Sequence, residues 1–175
     1  MNNARPPAVA GYFYPAGADE LAAEVQGLLA AAQAGKPVRM PKALIVPHAG
    51  YIYSGPVAAS AYARLSALAG RIRRVVLLGP VHRVPVRGLA RPSISAFSTP
   101  MGVIPLDTAA MDLLAGQPQV TVSDAAHAQE HSLEVHLPFL QTVLGDFQLL
   151  PLAVGDATAA EVAEVLERVW GGDET

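Results

Sequence analysis

Five histidines and no cysteine in 175 residues leave imidazole, carboxylate and backbone oxygen as the metal ligands this chain can offer. Two of the histidines stand at matched places. Ala43 to Val46 is a short apolar run that stops at Pro47-His48, and Val75 to Leu78 is another that stops at Gly79-Pro80-Val81-His82. Such runs read as strands covered on both faces. In open parallel sheets, ligands bind outside the carboxyl ends of the strands, where the loops converge. If the two runs are neighbours about 4.8 Å apart, imidazoles from their ends can meet on one ion at nitrogen distances of roughly 2.1 Å. The alternative is that each ring caps its own loop by bonding backbone groups, and spacing alone leaves both readings open.

Further ligands would have to come from the stretch Ala126 to His136, which holds His127, Glu130, His131, Glu134 and His136. His127 to His131 spells H-x-x-E-H, the inverted zinc-peptidase pattern, but that site needs both histidines inside one helix. The apolar series Leu133, Leu137, Leu140, Leu144 begins only after His131, so the spacing predicts a helix from about Ser132, kinked at Pro138. His127 is then expected in a solvated loop and His136 on a helix flank. Phe13, Tyr14, Tyr51 and Tyr53 can line a pocket for an aromatic ligand, or serve as core and rim packing. No G-x-S-x-G, G-x-G-x-x-G or G-x-x-x-x-G-K-[ST] occurs, so a hydrolase elbow, a dinucleotide site and a P-loop lack support.

The elements that would position these residues follow from periodicity. Asp19 is expected to cap a helix with Leu21, Val25, Leu28, Leu29 and Ala32 on one face, ended by Gly35 and Pro37. Ser54-Gly55-Pro56 opens a second helix with Val57, Ala61, Leu65 and Leu68 inward and Gly70 after its end. Strand, helix and strand within about 35 residues make a right-handed βαβ unit. Ser93 to Phe97 and Met101 to Leu106 read as strands around a turn at Thr99-Pro100, and Asp107 caps a short helix through Leu114. Phe147 to Val154 is a third covered strand, in which Pro151 points to an edge or a bulge. Thr158 and Glu161 have capping-box spacing before a helix with Val162, Val165, Leu166 and Val169 on one side. The pattern is a single α/β domain over residues 1–175, with a three-layer, mostly parallel sheet and helices on both faces. A parallel sheet normally receives another strand after such a helix, yet only Gly-Gly-Asp-Glu-Thr follows. The sheet is therefore expected to be incomplete at its carboxyl end.

Composition narrows the class. Twelve basic against fifteen acidic residues give a net charge of −3, which argues against a general nucleic-acid binder. Residues 64–91 carry seven arginines and no acid, whereas residues 92–175 hold twelve acids and Arg168 alone. That asymmetry reads as internal complementarity, or as a rim around Arg83 that attracts anions. The amino terminus lacks a signal-peptide core and no stretch is long enough to span a membrane, so a cytoplasmic protein is expected.

Four segments in order, Ala10-Gly-Tyr-Phe-Tyr-Pro15, Val46-Pro-His-Ala-Gly-Tyr-Ile-Tyr-Ser-Gly55, Leu78-Gly-Pro-Val-His-Arg-Val-Pro85 and Glu130-His-Ser-Leu-Glu-Val-His-Leu-Pro-Phe139, resemble the MEMO family, named for a mediator of cell motility. The resemblance runs over nearly the whole chain, which would be the amino-terminal portion of the family fold. It implies a fold similar to the class III, LigB-type non-haem-iron extradiol dioxygenases, with a shallow cleft at the strand ends. His48 and His82 match the family's two metal-site histidines, and Glu130 and His131 are the catalytic candidates facing the same cleft. Phe13, Tyr51, Tyr53 and Arg83 are the pocket candidates. The carboxylate or cysteine that completes the site in such relatives comes from a later region and has no counterpart here. The resemblance further implies iron(II) or another divalent transition metal, copper and zinc included, and a small aromatic or anionic ligand. It also implies a protein partner linked to a radical-SAM system, while oligomerisation is left open by the sequence. The expected function is metal binding, the alternatives being a ring-cleaving dioxygenase, in which a nearby histidine moves protons, and a non-catalytic peptide- or protein-binding module.

Overall fold

A computed structural model of the chain describes residues 4–32 and 41–175. Gly35 and Pro37, expected to end the first helix, lie outside them. The elements in chain order are β1 (Ala4–Arg5), α1 (Ala18–Ala31), α2 (Tyr51–Tyr62), a 3-10 segment (Ala63–Leu68), β2 (Arg74–Pro80), β3 (Leu89–Arg91), β4 (Ala96–Thr99), β5 (Gly102–Pro105), α3 (Thr108–Leu113), β6 (Val120–Val122), α4 (Asp124–Ala128), a 3-10 turn (Glu134–His136), α5 (Leu137–Leu144), β7 (Gln148–Val154) and α6 (Ala159–Val169).

The fold is α/β, built on two sheets rather than one. The larger has the order β2-β7-β3-β6, in which β2 with β7 and β3 with β6 are parallel and β3 with β7 is antiparallel. The smaller has the order β1-β4-β5, with β4 and β5 forming the expected hairpin. β2 and β7 run in register from Arg74 opposite Gln148 to Pro80 opposite Val154. One core of Leu, Val, Phe and Tyr side chains joins the sheets to α1, α2 and α5, and Leu89, Leu149, Leu150 and Leu152 in the larger sheet are completely buried. No helix among the described residues is long and apolar enough to cross a membrane.

Several expectations need correction. Residues 43–46 form no ladder, so the βαβ unit lacks its first strand; Ile45 is fully exposed, and a cavity of about 490 Å³ lies between this run and β2. The first helix is capped by Gly17 rather than Asp19, which falls inside the first turn, where its charge favours the helix amino terminus. The second helix starts at Tyr51, three residues early, because the Tyr51 amide donates to the Phe13 carbonyl at 2.8 Å and Gly50 takes the cap position. Its inward face is therefore Tyr51, Ser54, Gly55, Ala58, Ala59 and Tyr62, and Val57 is exposed. β7 is an inner strand. Pro151 is tolerated because β3 pairs only with Ala153 and Val154, which leaves no ladder partner for residue 151 on that side. Pro138 does not kink a helix, since α5 begins at Leu137 and the proline sits in its first turn.

Other local signals read correctly. The Asp107 side chain accepts from the Ala110 amide to cap α3, and Thr158 with Glu161 makes both bonds of a capping box on α6. The charge asymmetry resolves partly into pairs across the fold, Arg74 with Asp107 at 2.5 Å and Arg87 with Glu161 at 3.0 Å.

Candidate metal centre

The centre is assembled from three chain segments. β2 runs out at Pro80 and places His82 two residues beyond its end. The extended run before α2 ends at His48, and the turn after α4 supplies Glu130 and His131. These segments touch at one tight point. A Cβ added to Gly79 would lie 2.6 Å from the Ser132 hydroxyl oxygen, and that hydroxyl donates to the Pro80 carbonyl at 2.8 Å. Only glycine lets the 130–132 turn sit this close to the end of β2.

The turn is fixed from the other side by β1. Arg5, 4% exposed, donates through Nε to the His127 carbonyl and through Nη2 to the Glu130 carbonyl, both at 2.6 Å, and its Nη1 meets the Glu134 carboxylate at 2.8 Å. Glu134, wholly buried, also accepts the Ala8 and Val9 amides and the Tyr14 hydroxyl at 2.5 Å. Burial, followed by the bond to Glu134, pushes the Tyr14 phenol far above its ordinary range, so it remains a donor.

Three imidazoles share one opening. Ring centroids are separated by 5.3 Å for His48 and His82, 5.9 Å for His48 and His131, and 4.4 Å for His82 and His131, and one ring nitrogen from each lies within 4.8 Å of the others. Nitrogens bound at roughly 2.1 Å to one tetrahedral ion lie about 3.4 Å apart, so modest side-chain rotation brings these three together. Burial, and then the charge of His82, lowers the His48 pKa, with Glu130 opposing. Burial also lowers that of His131; Glu130 opposes it, while His82, His48 and Arg83 add to it. Neutral imidazoles keep the lone pairs that a cation needs.

The Glu130 carboxylate is buried, accepts from the His82 amide at 2.5 Å, the His131 amide at 2.9 Å and the Ser132 amide at 3.0 Å, and makes a fourth hydrogen bond with the His82 Nδ1 at 2.9 Å. Burial raises its pKa, but the Ser132 amide and the His82 ring and amide outweigh that and hold it at about 2. The Phe13 ring packs on His131 at 4.8 Å, and Arg83 is exposed on the loop that carries His82. Tyr51 is turned into the core, where its hydroxyl donates to the Val135 carbonyl, and Tyr53 is 82% exposed on the outer side of α2. The structure thus brings His131, Phe13 and Glu130 to the two strand-end histidines, and leaves Tyr51 and Tyr53 outside the cluster. His131 as a third nitrogen has no periodic signature, because it lies in an irregular turn; its only local sign is the Glu-His-Ser triplet.

The remaining two histidines are structural. His127 is not in a solvated loop: α4 is capped by Ser123 and buries the ring, whose Nε2 donates to the Ala90 carbonyl at 3.0 Å. His136 is buried rather than on a flank, with Nδ1 2.9 Å from the Tyr62 hydroxyl. Burial lowers each pKa to about 4. A histidine that is neutral when folded and protonates near 6.5 when unfolded binds more protons in the unfolded state, so stability is complete above about pH 6.5 and falls towards pH 4. For His127 the loss is about 3 kcal/mol across that window. Urea melts at a series of pH values should show a flatter acid limb for His127→Gln, which keeps the donor to Ala90 without the charge; an unchanged slope would contradict this.

A sequence model of the family described as "Memo-like protein" matches residues 5–172. Among curated relatives, a "MEMO1 family protein" of Thermotoga neapolitana is 37% identical over 93% of this chain and 61% of its own. One from Aquifex aeolicus is 41% identical over 86% of this chain and 54% of its own, and one from Ignicoccus hospitalis is 43% identical over 86% and 56%. The chain spans about three fifths of the length of the relatives it matches.

Proposed function

The chain belongs to the Memo-like protein family, and on that premise we propose that it binds a divalent transition-metal ion through His48, His82 and His131. The observation that carries this reading is the convergence of three imidazole nitrogens within 4.8 Å of one another. An all-imidazole donor set suits divalent transition metals such as iron(II), copper and zinc better than calcium or magnesium. When bound, such an ion supplies a Lewis acid with positions open to an oxygen ligand. The chain's own residues then select that ligand. The Phe13 ring against His131 makes one wall apolar, and the exposed guanidinium of Arg83 favours an anion, so a small aromatic or anionic molecule is the expected guest. His131, neutral and packed on both His82 and Phe13, is also placed to take or return a proton at the mouth of the site whenever it is not engaged by the ion.

Calorimetric titration of metal-free protein under anaerobic conditions tests the reading. One iron(II) ion per chain is expected. His131→Ala should weaken binding by more than the roughly 10–100-fold that loss of an outer hydrogen-bond partner costs. No saturable binding by the wild type would overturn the proposal.

A further inference from the structure

We propose that Glu130 is the positioning residue of this centre: it holds His82 as the Nδ1–H tautomer, so that Nε2 is the nitrogen His82 offers to a metal, and it ties the backbone of His82 to that of His131. The tautomer assignment rests on hydrogen-bond geometry alone, and its consequence for the metal rests on the function proposed above.

Glu130 Oε1 lies within hydrogen-bond distance of the His131 amide at 2.9 Å, the Ser132 amide at 3.0 Å and the His82 Nδ1 at 2.9 Å, with the His131 Nδ1 farther off at 3.4 Å, while Oε2 faces the His82 amide at 2.5 Å. Backbone amides can only donate, and the two at Oε1 take both of its lone pairs, which leaves no site there for a proton. A hydrogen between Oε1 and Nδ1 must therefore sit on the imidazole, and a neutral ring that is protonated at Nδ1 has its lone pair at Nε2. A carboxylate behind a metal-binding histidine fixes the ring's orientation and raises its basicity. The same carboxylate spans two of the three segments of the centre, since its acceptors engage residue 82 after β2 and residues 131 and 132 in the turn. A side chain that only stapled the loop would need the amide bonds and not the one to the imidazole.

Nitrogen-15 NMR of the imidazoles separates the two roles. In metal-free wild type, well above the ordinary titration range of histidine, His82 is expected to be protonated at Nδ1 and bare at Nε2. In Glu130→Gln, where one oxygen becomes a competing donor, the ring should shift towards the Nε2–H form. Cobalt(II) affinity in that variant should fall about 10–100-fold with one ion per chain retained, and the visible spectrum of the bound cobalt should change. A wild-type ring protonated at Nε2 overturns the proposal, even if the variant does not fold. A variant whose tautomer matches wild type overturns it as well. A wild type that shows the expected tautomer and binds no metal supports the hold of Glu130 on His82 and overturns the metal reading instead.

Discussion

Replacing His48 and His82 together by alanine is expected to abolish saturable metal binding while leaving the protein folded. Two of the three nitrogens disappear, and the His131 imidazole is the one member of the cluster left behind. Neither ring is buried, so their removal leaves no closed cavity. The chief structural loss is one of the four hydrogen bonds to Glu130, about 1.5–3 kcal/mol for a bond to a charged group. Thermal melts give a second readout. A ligand present at about 100 times its dissociation constant adds about 2.7 kcal/mol to the stability of the state that binds it, so iron(II) should raise the wild-type midpoint and leave the double variant unmoved. Equal stoichiometry in the two proteins would remove the centre described above.

Glu134→Ala is expected to be the most damaging single substitution outside the metal cluster. It breaks a completely buried ion pair and leaves the Arg5 guanidinium without its counter-charge, a change that costs about 3–5 kcal/mol where a buried pair loses one member. It also strips acceptors from the Ala8 and Val9 amides and from the Tyr14 hydroxyl. Against a typical total of about 5–15 kcal/mol, that loss brings the domain close to unfolding at ambient temperature. Urea denaturation followed by far-UV circular dichroism measures it. A loss below about 1 kcal/mol would mean that the amino-terminal segment is held by its apolar contacts alone.

What could be read beforehand was local, and what could not was mostly long-range. The capping box of α6 and the Asp107 cap of α3 depend on residues three apart, which a short window of sequence contains. Residues 43–46 have the composition of a covered strand, but a ladder also needs a partner in register, and composition does not supply one. Even so, His48 reaches the common opening, because Gly50 and the Tyr51 amide anchor the end of that run against Phe13. The two strand-end histidines were therefore legible as a pair although only one of them follows a strand in the sheet. Glu134 gave no warning. The sequence offers it only as one acid in the stretch that could supply metal ligands, and its partners Arg5, Ala8, Val9 and Tyr14 lie 120 or more positions away. A shorter but still long-range separation hid the contacts of Glu130, whose bonds reach 48 positions back to His82.

The contact between Gly79 and the Ser132 hydroxyl has a consequence for how such a centre can change over generations. Main-chain atoms of residue 79 meet the short Ser132 side chain there, with the Leu133 side chain beside it, and this contact sets the spacing between the ring that follows β2 and the ring in the neighbouring turn. A single methyl at position 79 would wedge that spacing open.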